Sequence, residues 1–374
     1  MTERARLGVA CIGGGSGGHI FPGLAVIETI ADTEPSMRAV FITGDRAVDE
    51  AVLEPEPWDR VALGARPPAR KPRAMLACIT SWGQAVRDTR TALRTLKDSC
   101  EHVVAMSTGG YVSAPAAQAA RAERVPLVLV ALDARVGKAN RFVSRRARQR
   151  LMAQDQAPAG WQAIGPIVGK RALAPADPGT CRKRLGLDAN TPCLLVVGGS
   201  QGARSINQLI MHRLEHAPEI FRGWQLLHLA GDAEGAHAVE AALQQSAVPG
   251  VALPSLNPIG PAWGAADLAV CRAGAGTAAE VHANAVPAIF LPYPYHRDAH
   301  QASNVRPLVE AGGAIVVEDA VEPRANASRA GAALKELLGS PNRRSQMAAA
   351  LQALPRRDGA EACATALLQC AGIR

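Results

Sequence analysis

Leu7-Gly-Val-Ala-Cys-Ile12-Gly-Gly-Gly-Ser-Gly-Gly-His19 is the stretch on which the fold turns. Leu7–Ile12 is an apolar run of strand length, and six residues rich in glycine follow it. A helix is predicted from about His19, because Ile20, Leu24, Ile27 and Ala31 recur at i, i+4, i+7 and i+11 on one face. Strand, glycine loop and helix in that order open a parallel α/β unit. The pattern continues outward: Arg38–Thr43, His102–Met106 and Val125–Leu132 read as further strands with helical segments between them. Such alternation implies α/β architecture, a parallel sheet with helices on both faces.

The pattern breaks at 155–180, where Ala157-Pro-Ala-Gly, Gly165-Pro and Ala174-Pro-Ala-Asp-Pro-Gly cluster turn formers. It restarts with Cys193–Val197, a second glycine loop, a helix, Trp224–Ala230, and so on to about 320. Two domains are therefore expected, 1–164 and 165–340. Closing helices over 341–374, interrupted by Pro341 and Pro355, are expected to return to the first domain. A chain of 374 residues suits this division at roughly 150 residues per domain. The default ligand position for such a pair is a cleft.

Composition narrows the chemistry. With 48% hydrophobic and 20% charged residues the chain is globular rather than disordered. Aromatics are only 3%, too few for base-stacking platforms, so nucleic acid is not an expected partner. A net charge of +8 favours phosphate-bearing partners, or is simply a solvated basic surface. The eight cysteines form no C-x-x-C and no zinc spacing, which reads as a reduced, intracellular chain without a metal site. No apolar run reaches the length of a membrane span, and Met1-Thr-Glu-Arg opens no signal peptide.

Five segments carry chemistry. Gly13, Gly15 and Gly18 satisfy G-x-G-x-x-G, a loop that brings backbone N–H groups toward an anion at a helix N-terminus. By itself this also fits a nicotinamide-dependent oxidoreductase, with Asp45 on a ribose, or a purely structural turn. His19 begins the helix, where the dipole disfavours imidazolium; it is either a neutral general base or a bystander. Gly198-Gly-Ser-Gln-Gly-Ala203 is a second such loop, and two loops suit an enzyme holding an acceptor and a nucleotide better than one dinucleotide fold. Cys271-Arg-Ala-Gly-Ala-Gly-Thr-Ala-Ala-Glu280 is a third; Glu280 is placed to accept ribose hydroxyls, or caps its helix. Gln301, in a segment ending at Asn304, offers a donor and an acceptor to sugar hydroxyls. Ser107-Thr-Gly-Gly-Tyr-Val-Ser-Ala-Pro115 is a further loop able to hold an anion. Finally, Arg66, Arg70, Lys71 and Arg73 precede the apolar stripe Met75, Leu76, Ile79 and Trp82, which describes a membrane-surface patch or a loop before a core helix. No D-x-D is present, so leaving-group charge would fall to helix N-termini and backbone N–H groups rather than to a metal.

Taken jointly and in this order, residues 14–19, 109–115, 198–203, 271–280 and 300–304 resemble the motifs of glycosyltransferase family 28. They are similar in particular to the N-acetylglucosaminyltransferases that convert lipid I to lipid II in peptidoglycan synthesis. The resemblance spans nearly the whole chain. It implies a GT-B fold of two facing Rossmann-like domains, with UDP-GlcNAc mainly on the C-terminal one and no cofactor required. It implies that Ser200 and Gln201 hold the diphosphate, that the Leu256 backbone meets the uracil, and that Glu280 holds the ribose and Gln301 the sugar. Ala275, Gly276 and Thr277 would line the phosphate side. Ser16, Gly17 and Gly18 would approach the donor sugar and the acceptor diphosphate, and His19 would be the base. Gly14, Gly15, Thr108, Gly109, Gly110 and Tyr111 would meet the acceptor, an undecaprenyl-linked lipid I at the cytoplasmic face of a bacterial plasma membrane. The family places an Asn where Asp133 stands and an Arg where Gly169 stands; Lys170 and Arg171 follow at once as substitutes for that Arg.

Overall fold

The computed structural model describes residues 4–15, 17–66, 72–199, 202–294 and 300–373. The chain forms two compact units, Met1–Gly169 with Arg357–Arg374, and Lys170–Arg356.

In the first unit β1 (Ala5–Gly13) leads through the glycine loop to α1 (Gly17–Thr33). The helix starts two residues before His19 and buries Ile20, Leu24, Ile27 and Ile30. Next come β2 (Arg38–Gly44), α2 (Ala47–Leu53), β3 (Asp59–Leu63), α3 (Pro72–Ser99), β4 (Cys100–Gly109), α4 (Ser113–Ala122), β5 (Leu127–Ala131), α5 (Lys138–Ser144), β6 (Gln149–Met152) and β7 (Gln162–Ala163). The sheet order is β3-β2-β1-β4-β5-β6-β7, parallel throughout, with Gly8 paired to Arg38 on one side and to Val103 on the other. Strand order therefore reverses between β1 and β4. The loops leaving their carboxyl ends, 13–18 and 109–112, flank that switch point, where open α/β sheets bind ligands.

The second unit repeats the plan. Its elements are α6 (Pro178–Arg184), β8 (Cys193–Val197), α7 (Arg204–His216), β9 (Gln225–Leu229), α8 (Ala233–Ser246), β10 (Gly250–Leu253), α9 (Gly260–Ala265), β11 (Leu268–Cys271), α10 (Ala275–Asn284), β12 (Ala288–Phe290), α11 (His300–Glu310), β13 (Ala314–Val316), α12 (Pro323–Gly339) and α13 (Pro341–Ala353). The parallel order is β10-β9-β8-β11-β12-β13, so the switch point lies between β8 and β11. Every residue of β8 and β11 is buried, which accounts for their unbroken apolar runs.

The unit boundaries differ from those read in the sequence. Helix α13, expected to return to the first domain, belongs to the second: Met347 and Leu351 are fully buried in its two cores. Only α14 (Gly359–Ala371) packs with the first unit, against α1 and β4, with Cys363 Sγ 3.5 Å from Met106 Sδ. The entry to α14 needs a glycine, since a Cβ on Gly359 would stand 2.4 Å from the Gly165 carbonyl. All eight cysteines are free.

Candidate active site

At the crest of the first unit the glycine loop is shaped by a residue that the sequence reading passed over. Asp49, fully buried on α2, accepts the Gly15 N–H through both carboxylate oxygens at 2.8 and 3.0 Å, and the Gly44 N–H at 3.1 Å. Arg46 Nη1 donates to the Gly15 carbonyl at 2.9 Å, and its guanidinium lies 5.7 Å from the Tyr111 ring centre. Gly15 takes φ +89°, and a Cβ on Gly14 would sit 2.8 Å from Asp49. The N–H of Gly15, expected to face an acceptor anion, is thus turned inward to a carboxylate. What the described loop turns outward is the start of α1, with Gly17 buried and Gly18 exposed. Ser16 lies outside the described residues.

His19 stands in the first turn of α1. Its Nδ1 is 3.0 Å from the carbonyl oxygen of Thr108, and the Thr108 hydroxyl donates back to the His19 carbonyl at 2.7 Å. A carbonyl only accepts, so Nδ1 carries the proton and Nε2 keeps the lone pair. Burial pulls the His19 pKa below its ordinary value, partly offset by the Asp133 carboxylate, the Thr108 carbonyl and Asp49. The shift favours the neutral ring, with Nε2 as its unprotonated nitrogen. Gly109, at φ +112°, leaves room for it: a Cβ there would lie 3.2 Å from His19 Cε1 and 3.1 Å from the Asn140 amide oxygen. That oxygen is buried and has no hydrogen-bond partner among the described residues. Gly110 and Tyr111 close the other side, where a Cβ on Gly110 would press on the Gly14 carbonyl and the Tyr111 ring abuts Gly15.

In the second unit, Ser200 and Gln201 lie outside the described residues. Around them, the Gly202 N–H donates to the Gly199 carbonyl at 3.0 Å, both glycines having positive φ. Across the switch point α10 begins at Ala275 after Gly274, with no side chain capping its first turn. Ala275, Gly276 and Thr277 are half-buried, and a Cβ on Gly276 would meet nothing within 4 Å. Uncapped N–H groups at a helix start can donate to an anion. Glu280, one turn further, does not cap the helix. Its Oε2 accepts the indole N–H of the buried Trp263 at 3.0 Å, and burial pushes its carboxyl up to about 7. Leu256 is half-buried after β10 and packs on the core. Gln301 Oε1 accepts the Tyr293 N–H at 2.7 Å, which orients the side chain. Lys170 and Arg171 form an exposed 3-10 turn of this same unit.

Arg66 is ion-paired to Asp45 at 2.8 Å, which also engages the carboxylate that a dinucleotide reading needed for a ribose. Arg70, Lys71 and the side chain of Arg73 lie outside the described residues. Met75, Leu76 and Ile79 are 43, 62 and 63% exposed on α3. Trp82 is not part of that exposed stripe: it is half-buried, donates to Gln118 Oε1 at 2.9 Å and meets the Phe142 ring edge-on. Phe142 belongs to α5, where Lys138, Arg141 and Arg145 line one surface depression with it. Their 3- and 4-residue spacing was visible in the sequence as one helical face. Among the described residues, no helix is long and apolar enough to cross a membrane, and no group of three His, Cys, Asp or Glu is placed to hold a metal.

Two parallel-sheet Rossmann-like units, each with a glycine loop at its switch point, match the GT-B architecture of glycosyltransferases. Residues 9–152 match the glycosyltransferase family 28 N-terminal domain and residues 193–363 its C-terminal domain, and the chain belongs to that family. It is 32% identical to the UDP-N-acetylglucosamine–N-acetylmuramyl-(pentapeptide) pyrophosphoryl-undecaprenol N-acetylglucosamine transferase of Corynebacterium efficiens, over 99% of both chains. The enzyme of the same name from Acidothermus cellulolyticus is 33% identical over 98% of both. Among solved structures, MurG of Acinetobacter baumannii superposes with a TM-score of 0.68 at 23% identity, covering 97% of this chain and 99% of that one.

Proposed function

We propose that the protein transfers GlcNAc from UDP-GlcNAc to the muramyl 4-hydroxyl of an undecaprenyl-diphosphate-linked acceptor, lipid I, with inversion, giving lipid II and UDP. The observation that carries the chemistry is the His19 ring, whose Nδ1–H is held by Thr108 and whose Nε2 is left as base. Relatives that match nearly the whole chain are named for these substrates. His19 Nε2 takes the proton of the attacking hydroxyl as the O4–C1 bond forms. The bond from C1 to the β-phosphate oxygen breaks, and its electron pair leaves with UDP. The N-terminus of α10 and the 198–203 loop, with Ser200 and Gln201, stabilise that diphosphate without a metal. Glu280 binds the ribose, Leu256 meets the uracil, and the Gln301 amide donates to the sugar. Lys170 or Arg171 supplies the cation that Gly169 lacks. Acceptor contacts fall to Gly18, Gly109, Gly110 and Tyr111. General base help of this kind contributes on the order of 10²–10⁴-fold, and alignment of hydroxyl and donor adds the proximity term.

An undecaprenyl chain stays in a bilayer, so the enzyme works at a membrane surface. Met75, Leu76 and Ile79 insert shallowly, and Lys138, Arg141 and Arg145 meet anionic headgroups at the cytoplasmic face. The test is transfer from UDP-GlcNAc, UDP-glucose and UDP-GalNAc to lipid I under identical conditions. UDP-GlcNAc should be strongly preferred. Preference for another donor, or no transfer at all, contradicts the proposal.

A further inference from the structure

Arg272 sits in the motif that flanks the second switch point, yet it is only 9% exposed. Its Nη1 donates to Asp319 Oδ2 at 2.5 Å and to the Leu291 carbonyl at 3.0 Å, and its Nη2 donates to Ser205 Oγ at 2.7 Å. Ser205 Oγ in turn donates to the same Asp319 oxygen at 2.6 Å. The other oxygen, Oδ1, accepts from Asn326 Nδ2 and from the Val321 N–H, each at 2.7 Å. Asp319 is 4% exposed and has four donors.

The bonded segments belong to strands that are successive neighbours in the sheet. Ser205 follows the glycine loop after β8, Arg272 follows β11, Leu291 follows β12 and Asp319 follows β13. One guanidinium–carboxylate knot thus spans four strand ends. We propose that Arg272 is a positioning residue: through Ser205 and Asp319 it fixes the spacing between the start of α7 and the α10 N-terminus, and so the grip on the diphosphate of the donor. This rests on the UDP-sugar reading above.

Two arguments support positioning over plain stability. Buried ion pairs seldom add net stability over apolar residues of equal volume, so geometry is the better reason for one here. The bonds also use the planar fork of arginine on two partners at once, which a lysine ammonium cannot reproduce. The uracil side, at Leu256 after β10, lies on the far flank of the sheet and is not bonded to the knot.

The experiment is calorimetric binding of UDP and of uridine to the parent, Arg272→Lys and Ser205→Ala, with KM and kcat for UDP-GlcNAc and a melting curve for each. Arg272→Lys should weaken UDP at least tenfold and uridine less than twofold, with a matching rise in KM. Ser205→Ala, which leaves the ion pair intact, should shift UDP in the same direction by about threefold; it decides the matter if the lysine variant does not fold. Equal losses for UDP and uridine, or a lower melting temperature with an unmoved ratio, overturn the positioning role. A parent that binds no UDP overturns the donor reading itself, and this inference with it.

Discussion

His19 and Thr108 hold one another: the ring N–H donates to the Thr108 carbonyl, while the Thr108 hydroxyl donates to the His19 carbonyl. The first bond selects the tautomer and the second ties the start of α1 to the end of β4. His19→Gln should lower kcat by on the order of 10²–10⁴-fold while the Kd for UDP stays within about twofold. Unchanged turnover in that variant would remove His19 from the base role.

Burial lowers the His19 pKa and Asp133 raises it. A base works deprotonated, so kcat at saturating donor should fall as pH drops through a value below 6.5, the ordinary histidine value. Asp133→Asn removes a carboxylate that favours the imidazolium, and its acid limb should lie at lower pH than the parent's. A limb displaced to higher pH would contradict the electrostatic account.

Glu280 titrates at about 7 in the free protein because it is buried, with the Trp263 indole opposing the rise. Ribose hydroxyls donate to the carboxylate, so UDP affinity should increase as pH rises from 6 to 8, and 2′-deoxy-UDP should bind more weakly by about 1.5–3 kcal/mol. Trp263→Phe deletes the indole donor and should carry the midpoint upward; Glu280→Gln should abolish the pH dependence. Titration calorimetry across that range measures all three. Equal affinity for the two nucleotides rules out the ribose contact.

His228 is buried on β9, its Nε2–H bonded to Asn207 Oδ1 at 2.9 Å, and burial pushes its pKa down to about 3. Unfolded, it titrates at about 6.5, so below that pH the unfolded state holds the extra proton. Stability is then full above about 6.5 and lost toward pH 3, by about 1.4 kcal/mol per pH unit from this group. Urea midpoints at pH 7.5 and 5 should differ more for the parent than for His228→Gln. An identical difference would show that another group sets the acid limit.

Serine at Lys138, Arg141 and Arg145 should cost about 3 kcal/mol of attachment to anionic vesicles, and less as salt rises. Serine at Met75, Leu76 and Ile79 should remove binding that persists at high salt. Co-sedimentation at two ionic strengths separates them. If neither variant differs from the parent, the membrane contact lies on another surface.

Much of this was legible in the chain. Cys193–Val197 coincides with its strand because a strand buried on both faces has no polar interruption to blur it. The switch-point loops announced themselves through glycines that the backbone requires. Asp49 was not legible, since an acid on a short helix looks solvated until its carboxylate is seen under Gly15. Trp263 reads as core, and nothing in its spacing tells that its indole reaches Glu280. Arg272 could be read from its motif but not its direction, which depends on Asp319 arriving from a strand almost fifty residues later.

The most direct measurement is the anomeric configuration of the disaccharide formed from UDP-GlcNAc and lipid I, read from the proton coupling at C1 of the transferred sugar. The donor is α-linked. Direct attack by a hydroxyl deprotonated at His19 predicts a β-linked GlcNAc on the muramyl 4-oxygen and a product lost with His19→Gln. An α-linked product, or a β-linked one formed at the parent rate by that variant, would contradict it.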